Sequence, residues 1–277
     1  MSNATTITLN DSIDTNTRID MRWVSTAINE SCKANQAKKL NVSIGNKNIE
    51  AGELFNISGN FSNTNIVIDN SNQNLDYVGY QLPEGVQLDI NGDCGHYSGA
   101  ELKGGRLTIH GNTLDYTACA MRNGIIDIKG SSGHYTGSAY AGHKKGMSGG
   151  TVLIHKNSGD FTGDLMRRGV IMVVGDIGDY CGSRMIAGTI TNLGSVGNHI
   201  GAGMRRGTLL FPALPKEMNR TFINCGRHNL GYLTLLLHEL RTHDSEFKSL
   251  HSMRRRVQRY MGDPAVGGLG EILIWIG

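Results

Sequence analysis

The stretch Gly95-His96-Tyr97-Ser98-Gly99 decides the fold, because the chain repeats it at a nearly fixed period. The clearest further copy is Gly133-His134-Tyr135-Thr136-Gly137, and weaker copies lie before, between and after these two. The central residues of the copies are Tyr77, Tyr97, Tyr116, Tyr135, Phe161, Tyr180 and His199. They follow one another at 19 or 20 positions, with a single longer step of 26 after Tyr135. A period of this length is typical of a solenoid.

Each repeat also carries a short alternating apolar run ahead of the glycine motif. The pairs are Leu88/Ile90, Leu107/Ile109, Ile126/Ile128, Val152/Ile154 and Ile171/Val173. Apolar residues two positions apart lie on one face of a strand. A unit of this size cannot bury that face alone, but it can when stacked on identical units. The sequence therefore predicts a mainly β fold over residues 51–211, a single-stranded right-handed parallel β-helix of about seven to eight coils with ~19 residues each.

Two segments flank the repeat. Residues 1–50 predict an α+β cap, with strands at 6–9 and 18–24, a helix over 25–39 and a hairpin over 41–49. Residues 52–59 resemble a shortened first coil.

Residues 212–277 predict a C-terminal helical segment and tail that pack on the β-helix. Pro212 and Pro215 are expected to end the stack, because proline cannot donate to a β-ladder. Apolar residues at helical spacing predict helices over 230–242 and 245–260, followed by a strand over 271–275. The spaced residues are Leu230, Leu233, Leu237 and Leu240 in the first helix and Phe247, Leu250, Met253 and Val257 in the second.

The repeat register predicts an inward column five residues after each central residue. Its members are Leu82, Leu102, Met121, Tyr140, Met166, Met185 and Met204. The fourth repeat is seven residues longer than its neighbours, and we place the extra stretch at 142–148. Insertions of this kind leave a solenoid as surface loops, often on the working face. His143, Lys144 and Lys145 are therefore candidates for docking or ligand contact, the alternative being a loop that is merely tolerated.

Arginines follow the inward column and predict a basic ridge along one edge. The ridge comprises Arg122, Arg167, Arg168, Arg205 and Arg206. Stacked guanidinium groups suit carboxylates on a partner or on a polyanionic cofactor. The alternative is a solvated edge of the fold without a ligand.

The residue before each central residue is polar throughout, and aspartate and histidine alternate in the first four copies. These four are Asp76, His96, Asp115 and His134. The favoured interpretation is a turn position that tolerates positive φ, where Asp, Asn and His are enriched. The alternative is a metal or catalytic site, since neighbouring coils lie ~4.8 Å apart.

Composition excludes several classes of protein. A net charge of +3 is too small to indicate a nucleic-acid-binding protein. Without an apolar stretch that could span a membrane, or a leader sequence, we expect a cytoplasmic protein with no membrane partner. Five cysteines without a C-x-x-C pair predict free thiols and no zinc site. No catalytic signature for a nucleophile, metal or phosphate site is present, so we expect no catalytic residues.

The coils, with Met166-Arg167-Arg168-Gly169 and Met204-Arg205-Arg206-Gly207 following two of them, resemble the C subunit family of formylmethanofuran dehydrogenase. The segment 45–55 adds to the resemblance. The tail 262–273 favours the branch found in the bacterial formyltransferase/hydrolase complex of methylotrophs. The coil motif also resembles the C-terminal domain of glutamate synthase large subunits. That domain, the tungsten or molybdenum dehydrogenase and a free-standing ligand-binding β-helix remain alternatives.

The resemblance implies a non-catalytic structural and docking subunit that binds no cofactor by itself. In such a complex the D subunit resembles a formyltransferase, which moves the formyl group from formyl-tetrahydromethanopterin to a methanofuran-type carrier. The A subunit resembles an amidohydrolase that releases formate, and a B subunit completes the set of expected partners. A polyglutamate-bearing carrier would match the basic ridge.

Overall fold

The computed structural model describes residues 4–10, 17–250, 255–262, 264 and 267–276. The elements in chain order are β1 Thr5–Leu9, β2 Ile19–Asp20, α1 Arg22–Asn29, α2 Ala34–Ala37, β3 Asn41–Ile44, β4 Lys47–Glu50, α3 Ala51–Leu54, β5 Phe55–Ser58, β6 Asn65–Ser71, β7 Leu75–Asp76, β8 Gln87–Gly92, β9 Arg106–Ile109, β10 Ile125–Ile128, β11 Ser148–Ile154, β12 Arg168–Val173, β13 Thr189–Asn192, β14 Arg206–Phe211, β15 Ile223–Asn229, α4 Leu233–Thr242, a 3-10 helix Glu246–Ser249, β16 Arg256–Met261 and β17 Leu269–Trp275.

The protein is mainly β and is dominated by a long, largely parallel sheet. In the described part of the chain this sheet has thirteen strands, and β8 to β14 lie side by side in sequence order. They pair in parallel register, so that Leu88 lies beside Leu107 and Leu107 beside Ile126. The predicted apolar pairs are fully buried along these strands. Period-two burial on stacked strands thus supplies the core.

The inward column holds as predicted except in the fourth repeat. There Met147, not Tyr140, occupies the buried position, and Tyr140 is only half-buried. The backbone N–H of Met147 bonds to Gly137 in the same way that the N–H of Met166 bonds to Gly163. The backbone of the preceding residue, Gly146, likewise bonds across to the next coil.

The seven inserted residues are therefore 139–145, three positions earlier than the sequence predicted. The predicted placement kept the spacing after Tyr135 and consequently pushed Met147 out of the core. The observed placement keeps a methionine in the buried column, because leaving this position unfilled would cost core packing.

The N-terminal segment differs from its prediction in three places. The strand expected over 18–24 stops at Asp20, because α1 begins at Arg22. The helix expected over 25–39 is split into α1 and α2, and Ser31, one of the four residues between them, has a φ of 50°. In place of a shortened first coil, α3 leads into β5, which runs antiparallel to β1. The predicted hairpin is present as β3 and β4.

The C-terminal segment extends the sheet beyond the prolines that were expected to end it. β17 returns to pair in parallel with β14, and β16 and β15 follow in antiparallel order. The first predicted helix is present as α4. The second is wrong over the described residues, because a 3-10 helix and then β16 replace it, while 251–254 lie outside the described residues. A second apolar cluster, which includes Leu237, Phe247 and Leu210, packs α4 and the 3-10 helix on the sheet.

Candidate functional site

The central residues of the repeats form one continuous stack of rings. Successive ring centroids from Tyr77 to His199 lie 4.8–4.9 Å apart. This distance equals the spacing of neighbouring strands, so the stack follows directly from the repeat. Each of the seven residues has a φ between 57° and 63°. The Arg22 guanidinium covers the first ring, with its carbon 4.8 Å from the centroid of Tyr77.

The polar column beside the stack is a hydrogen-bond ladder. The His96 N–H donates to Asp76 Oδ1 at 2.7 Å, and the Asp115 N–H donates to His96 Nδ1 at 3.2 Å. The same arrangement continues with the His134 N–H on Asp115 Oδ1 at 2.8 Å and the Asp160 N–H on His134 Nδ1 at 3.0 Å. Each side chain thus accepts the backbone N–H of its counterpart in the next coil.

The ladder, and not a tolerance of positive φ, explains why Asp and His recur in this column. Positive φ falls on the ring residues and not on the Asp and His residues before them. Asp and His recur here because their side chains accept hydrogen bonds, which are a backbone requirement of the stacked coils. In the described residues, no group of three or more His, Cys, Asp or Glu side chains has a geometry that would hold a metal ion.

The insertion 139–145 forms a loop over the aromatic stack, with a pocket on each side. One pocket, of about 340 Å³, is lined by Tyr116, Tyr135, Lys144 and Arg184 among others. The other, of about 330 Å³, is lined by Glu101, Arg122, Tyr140, His143 and Lys145 among others.

Tyr140 anchors the loop, since its ring lies 5.7 Å from that of Tyr97 and 5.7 Å from that of His143. Burial raises the pKa of the Tyr140 hydroxyl. His143, Lys144 and Lys145 are exposed on the loop.

Two carboxylates on the walls of these pockets are held by arginines. Arg184 binds Asp164 through two bonds, of 2.9 Å from Nε and 2.5 Å from Nη2. Asp164 is only 5% exposed, so its charge requires this partner. On the other side, Arg122 Nη2 donates to Glu101 at 3.0 Å.

The basic ridge is present but interrupted. The N–H groups of Arg122, Arg167 and Arg205 make the same bond to the inward residue of the preceding coil. In this register Ser148 takes the equivalent position of the fourth coil, because its N–H bonds to the carbonyl of Met121. Arg168 and Arg206 begin β12 and β14 and are exposed. Arg122 is engaged with Glu101, whereas the four other arginines make no ion pair with a residue that the structure describes.

His155, which no sequence motif singled out, has charged partners in the structure. His155 Nε2 lies 3.0 Å from Asp127 Oδ1 and 3.2 Å from Lys129 Nζ. Lys129 Nζ also donates to Asp127 Oδ2 at 2.9 Å. The signal was available in the repeat, because Lys129 and His155 follow neighbouring strands and Asp127 faces outward between buried positions. The cluster compensates a carboxylate on the face that α4 covers.

Four of the five cysteines are buried and all five are free. Burial raises the pKa of the Cys94 thiol to about 12, and it also raises the pKa of Cys119 and Cys181. Thiols in such surroundings are unreactive. Only Cys225 is exposed. Across the described part of the chain, no helix has the length and apolar character needed to cross a membrane.

The fold is similar to that of known proteins. The family model of the GXGXG motif matches residues 25–230. Among solved structures, a chain from the formyltransferase/hydrolase complex (FhcABCD) of Methylorubrum extorquens, in complex with methylofuran, superposes with a TM-score of 0.86 and is 30% identical in sequence. The match covers 98% of this chain and 100% of that chain. No protein in a search of curated proteins matches.

The family match covers the whole repeat, and the structural match extends over both flanking segments. The resemblance found in the sequence is thereby confirmed. This chain belongs to the GXGXG family and, within it, to the C subunits of formyltransferase/hydrolase complexes.

Proposed function

We propose that this chain is a non-catalytic docking subunit of a formyltransferase/hydrolase complex. The observation that carries the proposal is the 30% identity, over 98% of the chain, to a component of such a complex. That relative belongs to an assembly of several different subunits and was solved with methylofuran. Similarity over a whole chain favours the same place in the same kind of assembly.

The chemistry of the side chains supports a role without turnover. The Asp and His residues that stack beside the rings accept backbone N–H groups, so these acceptor atoms serve the fold. The buried carboxylate of Asp164 is bound by Arg184, and the buried thiols have raised pKa values. A general base or nucleophile needs a reactive group that faces a substrate. The Asp and His side chains of the ladder and the carboxylate of Asp164 instead bond to neighbouring groups of the same chain.

The proposed complex transfers the formyl group from formyl-tetrahydromethanopterin to a methanofuran-type carrier and releases formate. Its D subunit resembles a formyltransferase, its A subunit resembles an amidohydrolase, and a B subunit completes the assembly. The complex works in the cytoplasm, in one-carbon metabolism. This chain alone binds neither cofactor nor metal, and the carrier belongs to the assembled complex.

The ridge and the insertion are the proposed contact surfaces. Arg167, Arg168, Arg205 and Arg206 present guanidinium groups along one edge, which suits the carboxylates of a partner or of a polyglutamate-bearing carrier. His143, Lys144 and Lys145 extend this positive surface from the loop. Salt screens such contacts, and binding through them should weaken as ionic strength rises.

The proposed architecture behind these surfaces is a single-stranded right-handed parallel β-helix of seven to eight coils. The domain spans residues 51–211, in which the coils follow α3 and β5, with a cap over 1–50 and a C-terminal segment over 212–277. The long parallel sheet and the ring stack support this architecture. A rigid stack presents flat faces, which suit large interfaces with other subunits.

Affinity purification tests the proposal. The tagged chain is expressed in its native host, and the proteins recovered with it are identified by mass spectrometry. The proposal predicts a formyltransferase-like and an amidohydrolase-like protein, with formyl-transfer activity in the eluate and none in the isolated chain. A stable chain recovered without partners, or turnover by the chain alone, contradicts it.

A further inference from the structure

The last strand of the long sheet differs from all the strands that build the core. β15 has seven residues, and not one of them is buried. Ile223 at its start is 62% exposed. Within the described residues β15 pairs only with β16 and forms the end of the sheet. An exposed strand edge of this length is a template for pairing with another chain.

The register identifies the backbone groups that face the open edge. The Leu230 N–H bonds to the Arg255 carbonyl at 3.0 Å, in continuation of the pairing of Asn229 with Arg256 and of His228 with Val257. Hydrogen-bonded and non-bonded pairs alternate in an antiparallel ladder. His228 therefore bonds to β16, whereas the N–H and C=O groups of Arg227 and Asn229 point outward. Two N–H donors and two C=O acceptors thus lie two residues apart along the open edge, which is the spacing at which an added β-strand would pair with them.

The opposite end of the same sheet is covered. There β5 forms the last strand, and its Phe55 ring packs against Trp23 of α1, with centroids 5.5 Å apart. Trp23 also contacts Phe61, which is buried. Aromatic packing and short helices thus cap one end of the sheet. The described residues provide no such cap for β15.

We propose that the outer edge of β15 accepts an extended, acidic segment of a partner subunit as an additional strand. The inference rests on the proposed function, because it requires a heteromeric complex. Charge selects the occupant, since β15 contributes the exposed Arg227 and β16 the exposed Arg256 to this end of the sheet, whereas Arg259 is paired with Glu271. A second copy of this chain would bring the same positive charges to the shared edge, and like charges on facing strands are unfavourable. Main-chain bonds supply affinity in this mode of recognition.

Two substitutions at one position test the main-chain bond. Asn229→Pro removes an outward N–H, whereas Asn229→Ala removes the side chain and keeps the N–H. Proline is tolerated on an edge strand whose N–H faces solvent. We expect Asn229→Pro to bind the partner subunits about tenfold more weakly, because a buried acceptor loses its donor, and Asn229→Ala to bind like the unaltered chain. Equal binding by both variants overturns the proposal. Arg227→Glu should weaken binding, with a reduced dependence on salt.

The exposed thiol of Cys225 provides a test that needs no variant. Maleimide labelling should be rapid in the free chain and at least tenfold slower in the assembled complex, while the other cysteines are buried in both. Undiminished labelling within an intact complex overturns the proposed strand addition and leaves the docking function standing. Failure to recover any partner overturns both. Protection of Cys225 in a dimer of this chain alone identifies self-pairing and also overturns the proposal.

Discussion

Phe161 stands in the middle of the ring stack, and its replacement tests the origin of the stack's stability. Its centroid lies 4.8 Å from that of Tyr135 and 4.8 Å from that of Tyr180. An aromatic pair contributes ~1 kcal/mol beyond the area that it buries, so Phe161→Ala loses about 2 kcal/mol from two pairs. Lost burial of the half-buried ring adds roughly 1 kcal/mol. Phe161→Tyr keeps both stacks and should be nearly neutral.

Glycine at this position should be less harmful than alanine. Phe161 has a φ of 59°, a conformation that costs an L-residue ~1 kcal/mol and costs glycine nothing. The greater conformational freedom of glycine in the unfolded chain offsets only part of this gain in stability. We expect Phe161→Gly to exceed Phe161→Ala in free energy of unfolding by about 0.5 kcal/mol.

Tyr260 in β16 is the matched control, because the structure does not place it among the residues with positive φ. There the order should reverse, with alanine more stable than glycine by about 0.5–1 kcal/mol. Urea unfolding of the isolated chain, followed by circular dichroism, gives the midpoints and slopes. The same order of alanine and glycine at both positions would refute the reasoning.

Three further predictions follow from the register and the ladder. Deleting 139–145 restores the regular repeat and should change the melting temperature little. Deleting 142–148 removes Met147 from the core and should cost about 2–5 kcal/mol of folding stability. Equal losses of stability in the two deletion variants would contradict the placement of the insertion. His134→Ala should lose about 1 kcal/mol of folding stability because the Asp160 N–H loses its acceptor, and His134→Asp should keep that stability. Calorimetry should show that neither substitution changes metal affinity. Metal binding that is lost with His134 would refute the ladder. Hydrogen bonds from the backbone and side chain of Ser195 lower the pKa of Asp176. The contribution of Asp176 to folding stability is therefore present above the ordinary aspartate pKa and disappears as pH falls through the lowered value. Asp176→Asn should lose less stability on acidification than the unaltered chain, which melting curves between pH 6 and pH 2 can measure.

The repeat made most of the fold readable from sequence. Alternating pairs such as Leu107/Ile109 determine which side of each strand is buried, and the constant period aligns the strands. The ring stack needs no further information, since one residue per coil at a fixed position must lie above the next. Aromatic side chains at such a position therefore come within stacking distance.

The errors arose where the period failed. After Tyr135 the extra seven residues fit several positions equally well by spacing alone, and only the buried methionine selects one of them. At the C-terminus, the helical spacing of apolar residues favoured a second helix, but Val257 pairs instead with Trp275 of β17. An open sheet edge offers backbone hydrogen bonds, and this tertiary pairing outweighed the local preference.

The candidate site was predictable only as a set of surfaces. Sequence identified the arginines of the ridge because they follow the repeat, and the charged residues of the insertion because the insertion interrupts the repeat. It did not show that Arg122 is engaged by Glu101 or that Tyr140 anchors the loop on Tyr97. The contact of Tyr140 depends on the placement of the insertion, which the period alone did not determine. The Arg122–Glu101 pair depends on side-chain conformations, which the repeat does not specify.

Reconstitution tests the central claim most directly. The partner subunits are produced without this chain, and formyl transfer and assembly size are measured before and after the purified chain is added. The account predicts that the chain alone has no turnover and that its addition restores a complex with formyl-transfer activity. Full assembly and activity without the chain, or formyl transfer by the chain alone, would contradict it.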